Sequence, residues 1–379
     1  MRKAKDWKQP CPNVECEDYG KYGAGNVRSI STYKTKSGNR RRIYECKTCG
    51  KSFSETRDTV FFNLRTQEDI VIMALKMILV KVSLTGICFV LNVKKETILR
   101  WLDRAFQKAD EINKLMMKDI DVKEVQLDEM WAFVKRKVSE ANGDGVESPV
   151  DAEDGRQWIW VSYAPEFRLI LGMVVGPRTL DTCLALIQIT ASVVLGIPCF
   201  FSDGFSCYYQ ALVTFYYQIK HFPKTGKRGR PKSAVKEPHP DLVYGQIIKE
   251  KKGGKLVRIT YKVKCGMKRF QELGLSISTT LLERLNLTIR HALSPLTRKT
   301  LGFCKKRENL KKQVIFFQAF YNFARPHMSL RETIDEPNAM FQQKWKQVTP
   351  AMSANLTDHV WTFRELLTKK IYHFPKSKY

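Results

Sequence analysis

Apolar positions recur at three- and four-residue spacing through residues 67–112, and the breaks in that rhythm predict three helices, 67–81, 83–91 and 95–112. In SLTGICFVLNVKKETILRW, the apolar Ile87, Val90 and Leu91 face Ile98, Leu99 and Leu102 across a turn at 92–94. Such a pair predicts a helix-turn-helix whose second helix presents Lys95, Thr97, Arg100 and Arg104. Beyond Asp121 the period changes to two, and VQLDEMWAFVKRK, QWIWVSYAP and RLILGMVVGPR read as three strands of an antiparallel meander. An apolar helix over 180–195 leads through Gly196 and Pro198 into the short strand CFFSDG, a crossover of the α/β kind. Helical patterning returns in TTLLERLNLTIRHAL and over 310–323.

Three strands, a helix and a fourth strand is the order of an RNase H-like core, so the expected fold class is α/β with that core preceded by a zinc ribbon and a helix-turn-helix. Abrupt changes of composition divide the chain accordingly. Residues 1–56 form the ribbon, 57–118 the helix-turn-helix domain, 119–335 the catalytic domain, and 336–379 a C-terminal tail. Residues 220–270 carry sixteen Lys or Arg against three Asp or Glu, and KTGKRGRPKSAVKEPHP holds too much Pro and Gly for a regular element. That stretch reads as an insertion with a mobile basic arm.

Charge narrows the partner. The 379 residues include 65 Lys or Arg and 38 acidic residues, a formal net charge of +27 that exceeds what solubility requires and calls for a polyanion. No run of 18 apolar residues occurs and MRKAKDWKQP lacks an apolar core, so a membrane surface is the poorer partner and double-stranded DNA the better one. The expected location is cytoplasmic, at the nucleoid.

Four of the ten cysteines form two close pairs, Cys11 with Cys16 and Cys46 with Cys49, with 29 residues between the pairs. Two turns at that spacing converge four thiolates on one tetrahedral ion, and Zn²⁺ is the natural occupant. In CKTCGKSF a glycine directly after the last cysteine permits the tight turn a knuckle needs.

Two-metal phosphodiester cleavage needs isolated carboxylates converging from separate elements. Asp128 lies in the apolar strand VQLDEMWAF, Asp203 closes CFFSDG before Gly204, and Glu283 sits on TTLLERLNLTIRHAL with Arg290 two turns further on. Spacing does not choose between Asp128 and Glu129, because neighbours on a strand point to opposite faces and both faces here hold apolar residues.

DEMWAFV, SDGFSCY, and LLERLNLTIRHAL with LTRKTLGFCKK resemble the successive catalytic blocks of the transposases of the insertion sequence one family, in its single-chain form. The likeness extends to the N-terminal zinc finger and helix-turn-helix, and to YNFARPHMSLRE near the end. It implies a DDE transposase in which Asp128, Asp203 and Glu283 bind Mg²⁺, or Mn²⁺ in its place, while Asn286, Arg290 and Arg298 belong to the block around the glutamate. Arg290 is carried with the catalytic set and Arg298 with the DNA contacts. It also implies cleavage at element ends, strand transfer into target DNA, and a homodimer or larger homo-oligomer to join two ends.

KRGRPK, with Arg228, Arg230 and Lys232, resembles an AT-hook, and as a plain electrostatic tether it still requires DNA. His327, with no second histidine nearby, reads as a structural hydrogen-bonding residue. The alternative for the whole chain is a non-catalytic DNA-binding regulator descended from a transposase, which has no need of all three acids.

Overall fold

The computed structural model describes residues 9–36, 38–135, 155–222, 233–298, 301–334 and 344–372. The chain divides into two compact units, Met1–Met116 with Trp361–Tyr379, and Met117–Val360.

The first unit opens with a small antiparallel sheet of β1 (Val27–Lys34), β2 (Arg40–Cys46) and β3 (Ser52–Ser54) in the order β1-β2-β3. β1 is almost wholly exposed, and the buried cluster beneath the sheet is Cys11, Cys16 and Cys46 with Val27 and Cys49 packed against it. Tyr44 and Phe53 are buried as well, and a sheet with so small an apolar core needs another source of stability.

Three helices follow, α1 (Glu68–Ile78), α2 (Leu84–Leu91) and α3 (Lys95–Met116). α1 stops a turn short of the predicted end, with Lys81 at a positive φ of 69°, and α3 runs a turn longer than predicted. Ser83 caps α2 by accepting from the Gly86 N–H at 3.1 Å, and Asn92, in the left-handed conformation, ends it. Val71, Leu75, Ile87, Ile98 and Leu102 are fully buried. Val90, expected in this core, is 58% exposed, because three residues beyond Ile87 lies about 60° off its direction on an eight-residue helix.

The second unit is built on a six-stranded mixed sheet. Its strands are β4 (Glu124–Val134), β5 (Gly155–Ala164), β6 (Leu169–Gly176), β7 (Cys199–Asp203), β10 (Val243–Lys252) and β11 (Lys255–Cys265), in the spatial order β11-β10-β7-β4-β5-β6. β8 (Tyr217–Lys220) and β9 (Val235–Pro238) form a separate hairpin. β4, β5 and β6 are an antiparallel meander, and β7 and β10 run parallel to β4 beside it. The path from β6 to β7 passes through α4 (Leu180–Val193), and α5 (Cys207–Phe215) connects β7 onward.

The stretch taken from sequence as an irregular insertion supplies a strand inside this sheet and another at its edge, which corrects that reading. Leu242, Val243 and Tyr244 are fully buried, and Gly253 and Gly254, both at positive φ, turn β10 into β11. Lys249, Lys251, Lys252 and Lys255 lie toward the turn of this hairpin, beyond a short apolar run at its start. Arg228, Arg230 and Lys232 lie outside the described residues.

Beyond the sheet come α6 (Met267–Glu272), α7 (Thr280–Ala292) and α8 (Arg307–Ala319). Successive strand residues face opposite sides, so three bonds assign the helix layers. Tyr208 of α5 meets Glu129, whereas Leu282 and Asn286 of α7 meet Gln126 and Asp128. α5 therefore covers one face of β4 and α7 the other. The short helix α9 (Pro350–Ser353) closes this unit, and α10 (Phe363–Thr368) returns to the first, where Arg364 pairs with Glu68. The expected separate tail over 336–379 thus ends as part of the N-terminal unit. Among the described residues no helix is long and apolar enough to cross a membrane.

Candidate active site and metal centres

Asp128 and Asp203 are neighbours because of strand register. Leu127 pairs with Ser202 in the parallel β4–β7 ladder, so the next residue on each strand points to the same side, toward α7. Asp203 is the last residue of β7, and its Oδ1 accepts from the Phe205 N–H at 3.1 Å as the chain turns. α7 is held over this point by Gln126, whose buried Oε1 accepts from the Leu282 N–H at 3.0 Å. That bond brings Glu283, in the first turn of α7, over the same two strands.

Asp128, Asp203 and Glu283 line one small cavity of about 30 Å³ together with Ile247, Lys249 and Thr279. A water needs roughly 10–15 Å³, so the space admits one or two ions or waters. The tight cluster is a different triple, since one oxygen each of Asp128, Glu129 and Asp203 lie within 4.8 Å of one another. Glu283 stands outside that cluster, its Oε1 paired with the Lys249 ammonium.

The two adjacent acids of β4 differ in their partners. Glu129 Oε1 accepts from Arg178 at 2.9 and 2.5 Å, and its Oε2 accepts from the Tyr208 hydroxyl at 2.7 Å. Arg178 is itself stacked over Phe205 at 4.1 Å and Trp158 at 4.8 Å. Among the described residues Asp128 makes no ion pair. Its Oδ2 accepts from Asn286 Nδ2 at 2.6 Å and its Oδ1 from the Glu129 N–H at 2.9 Å. Burial, with the charges of Glu129, Asp203 and Glu283, pushes the Asp128 carboxyl up to about 7. Glu129 is raised by burial and by Asp203, and Tyr208 and Arg178 pull it back.

This donor set fits a divalent cation on an observation independent of charge. Asn286 Oδ1, beside Asp128, is buried without a partner, the orphan that a metal-bound water would satisfy. Arg290 is half-buried and donates to the carbonyls of Leu296 and Trp131, both at 3.1 Å, with burial, Arg298 and Asp128 acting on its charge. Arg298 is exposed.

The four cysteines of the first unit also converge, all four Sγ lying within 4.8 Å of one another. Cys11 Sγ lies 3.7 Å from Cys49 Sγ, and Cys16 Sγ 3.8 Å from Cys46 Sγ. Tetrahedral ligands at Zn–S distances of about 2.3 Å sit roughly 3.8 Å apart, so the set fits zinc. Burial raises the Cys11 and Cys16 thiols, while at Cys46 burial is outweighed by the backbone N–H groups of Cys49 and Thr48 and the thiol falls to about 7.

Of the residues predicted on α3, Lys95 and Arg100 are exposed and Thr97 accepts from the Arg100 guanidinium at 3.2 Å. Arg104 is engaged inside the unit, donating to the carbonyls of Val60 and Phe62. Sequence reasoning missed Lys249, Arg178 and Tyr208. Lys249 is one lysine in a lysine-rich strand, and nothing local singles it out. An arginine after the Gly-Pro that ends β6 and a tyrosine four residues after SDG carry no pattern either.

No protein-family model and no curated protein matches the chain. Among solved structures, it is similar to a Mos1 transposase paired-end complex with the left transposon end, at TM-score 0.16 and 11% identity over 39% of this chain and 56% of that chain. A Mos1 strand transfer complex matches at TM-score 0.15 and 12% identity over 38% of this chain and 52% of that chain. A Mos1 mariner paired-end complex with Mn matches at TM-score 0.16 and 10% identity, over 35% and 52%. The matches span about half the length of those chains, and likeness at this level does not define a shared fold.

Proposed function

We propose that the chain is a DDE-type DNA transposase of RNase H-like fold, akin to the insertion sequence one family, which cleaves DNA at element ends and joins the freed end to a target. The observation that carries this reading is the cavity shared by Asp128, Asp203 and Glu283, fed from the middle of β4, the end of the parallel strand β7 and the first turn of a helix pinned above them. A strand order with three antiparallel members followed by two parallel ones supports the fold assignment.

Asp128, Asp203 and Glu283 would hold Mg²⁺ or Mn²⁺, which activate the attacking oxygen and stabilise the leaving one. Asn286 fixes the Asp128 carboxylate, and Glu129, neutralised by Arg178 and Tyr208, shapes the floor rather than carrying charge into the site. Lys249 balances Glu283 and, as a cation lining the same cavity, would meet a phosphate oxygen of bound DNA. In this reading Cys11, Cys16, Cys46 and Cys49 hold a structural zinc. Lys95, Thr97 and Arg100 of the helix-turn-helix, with Arg298 and the basic residues Arg228, Arg230 and Lys232, contact DNA. A net charge of +27 is the electrostatic side of the same interaction. Joining two ends calls for a homodimer or larger homo-oligomer in the cytoplasm, at the nucleoid.

The test is Mg²⁺-dependent cleavage and strand transfer on duplex DNA carrying the source element's ends, with Asp203→Asn as control. Loss of chemistry with retained DNA binding supports the reading. Binding without chemistry in the unaltered protein replaces it with the non-catalytic regulator.

A further inference from the structure

α7 has a second face. Glu283, Asn286 and Arg290 look toward the carboxylate cluster, whereas Arg284, one residue on and about 100° around the helix, lines a separate cavity of about 380 Å³. This cavity lies wholly within the second unit, and Arg168 and Arg325 line it with Arg284. Arg168 sits in the turn between β5 and β6, and Arg325 directly follows the π-turn that ends α8.

No carboxylate lines this cavity, and among the described residues none of the three guanidiniums has an acidic partner within ion-pair distance. Arg168 Nε donates to Ser329 Oγ at 3.2 Å, but its Nη1 is buried without a partner. Arg168 and Arg325 are half-buried and Arg284 is exposed, and three cations around one hollow with no acid among them favour an anion there. His327, on the same wall, is held below its usual range by burial and by Arg168, Arg325 and Arg284. The imidazole is therefore neutral near pH 7, and with Nδ1 accepting from the Ser329 N–H at 3.3 Å, Nε2 carries the hydrogen as a further donor.

Size and lining define the ligand further. Small-molecule sites begin at roughly 300 Å³, so a cavity of about 380 Å³ exceeds the needs of a bare inorganic anion. Its remaining walls include the rings of Tyr163 and Tyr321 and apolar side chains such as Leu285. Guanidinium forks match phosphate oxygens in geometry, and aromatic faces match a base.

We propose that this cavity binds a phosphorylated ligand of mononucleotide size, with Arg168, Arg284 and Arg325 on the phosphate and Tyr321 beside the base or sugar. A free nucleotide and a single nucleotide of a DNA strand offer the same chemistry. The site is separate from the carboxylate cluster and stands or falls independently of cleavage.

The experiment titrates the full chain with dAMP, with inorganic phosphate and with a short single-stranded oligonucleotide, comparing Arg284→Gln, Arg325→Gln and the exposed control Lys268→Gln. Binding of dAMP that falls roughly tenfold in each arginine variant but not in Lys268→Gln supports a nucleotide site. Displacement of dAMP by the oligonucleotide assigns the site to a DNA strand, and failure to displace it assigns a free nucleotide. Inorganic phosphate should bind more weakly than dAMP. Arg284→Gln should also raise the melting temperature without ligand, because it relieves like-charge repulsion, and this separates loss of the site from loss of the fold. Asp203→Asn should leave dAMP binding unchanged even if it abolishes cleavage. The proposal is overturned if neither nucleotide probe binds, or if Lys268→Gln weakens binding as much as the arginine variants.

Discussion

Asn286 Nδ2 donates to Asp128 Oδ2 at 2.6 Å, joining the helix that carries Glu283 to the strand that carries the most perturbed acid of the cluster. The bond sets the direction of a carboxylate that no cation holds, and it does so from the element on which the third acid rides. Ligand orientation and helix placement are thus one feature. Replacing Asn286 with Ala should weaken Mn²⁺ binding about ten- to a hundredfold, as loss of an outer partner of a ligand does. Titration calorimetry measures it, and an unchanged affinity removes Asn286 from the metal site.

The raised Asp128 carboxyl makes stability depend on pH in the reverse of the usual acidic sense. With its midpoint near 7 in the folded chain and in the ordinary carboxylate range when unfolded, the folded state binds more protons between those limits. The metal-free chain therefore loses stability as pH rises from about 4 to 7, and a divalent ion restores it. Melting in EDTA should show this decline in the unaltered chain and a smaller one in Asp128→Asn. Added Mn²⁺ should raise the melting temperature more at pH 8 than at pH 6, where it competes with the proton. Equal gains at both pH values would rule out Asp128 as a ligand.

Adjacent in sequence, Asp128 and Glu129 should respond oppositely to neutral replacement. Glu129→Ala strands Arg178, whose side chain remains 39% exposed, so the cost falls below that of a fully buried pair, at about 2 kcal/mol. Asp128→Asn removes a charge with no cation and should leave the metal-free chain as stable or more so. Urea unfolding of the two variants decides this, and equal destabilisation would mean that the pairing assigned to Glu129 is not what distinguishes them.

What the sequence disclosed follows from how locally each feature is encoded. The helices α1 to α3 and strands β4 to β7 show plain periodicity, and Asp128 and Asp203 stand out as isolated acids in apolar strands. The choice between Asp128 and Glu129 was not local, because it rests on Arg178 and Tyr208, which arrive 49 and 79 residues later. β10 escaped notice for a compositional reason. Its buried start, Val243 to Ile247, is short, and it runs into a lysine-rich edge that resembles an arm. Lys249 and the cavity of Arg168, Arg284 and Arg325 are likewise products of topology, assembled from elements that share no motif.

The cysteine cluster yields the last prediction. β1 is almost fully exposed, and apart from Tyr44 and Phe53 the small sheet buries chiefly the cysteines, so a bound ion should supply much of its folding energy. Purified protein should carry one zinc per chain by elemental analysis, and a strong chelator or Cys46→Ser should release it. Hydrogen exchange should then accelerate across β1 to β3, while α1 and α3 keep their protection, because Val71, Leu75, Ile98 and Leu102 are buried without help from the ion. Zinc uptake must expel the thiol protons of Cys11 and Cys16, both raised, whereas Cys46, lowered to about 7, is already about half ionised at neutral pH. Affinity should therefore climb with pH through 7 and above, with protons released on binding. A chain that holds no zinc and still protects β1 to β3 would show that the four thiols pack as ordinary side chains. The small sheet would then draw its stability from contacts with neighbouring residues of its own unit.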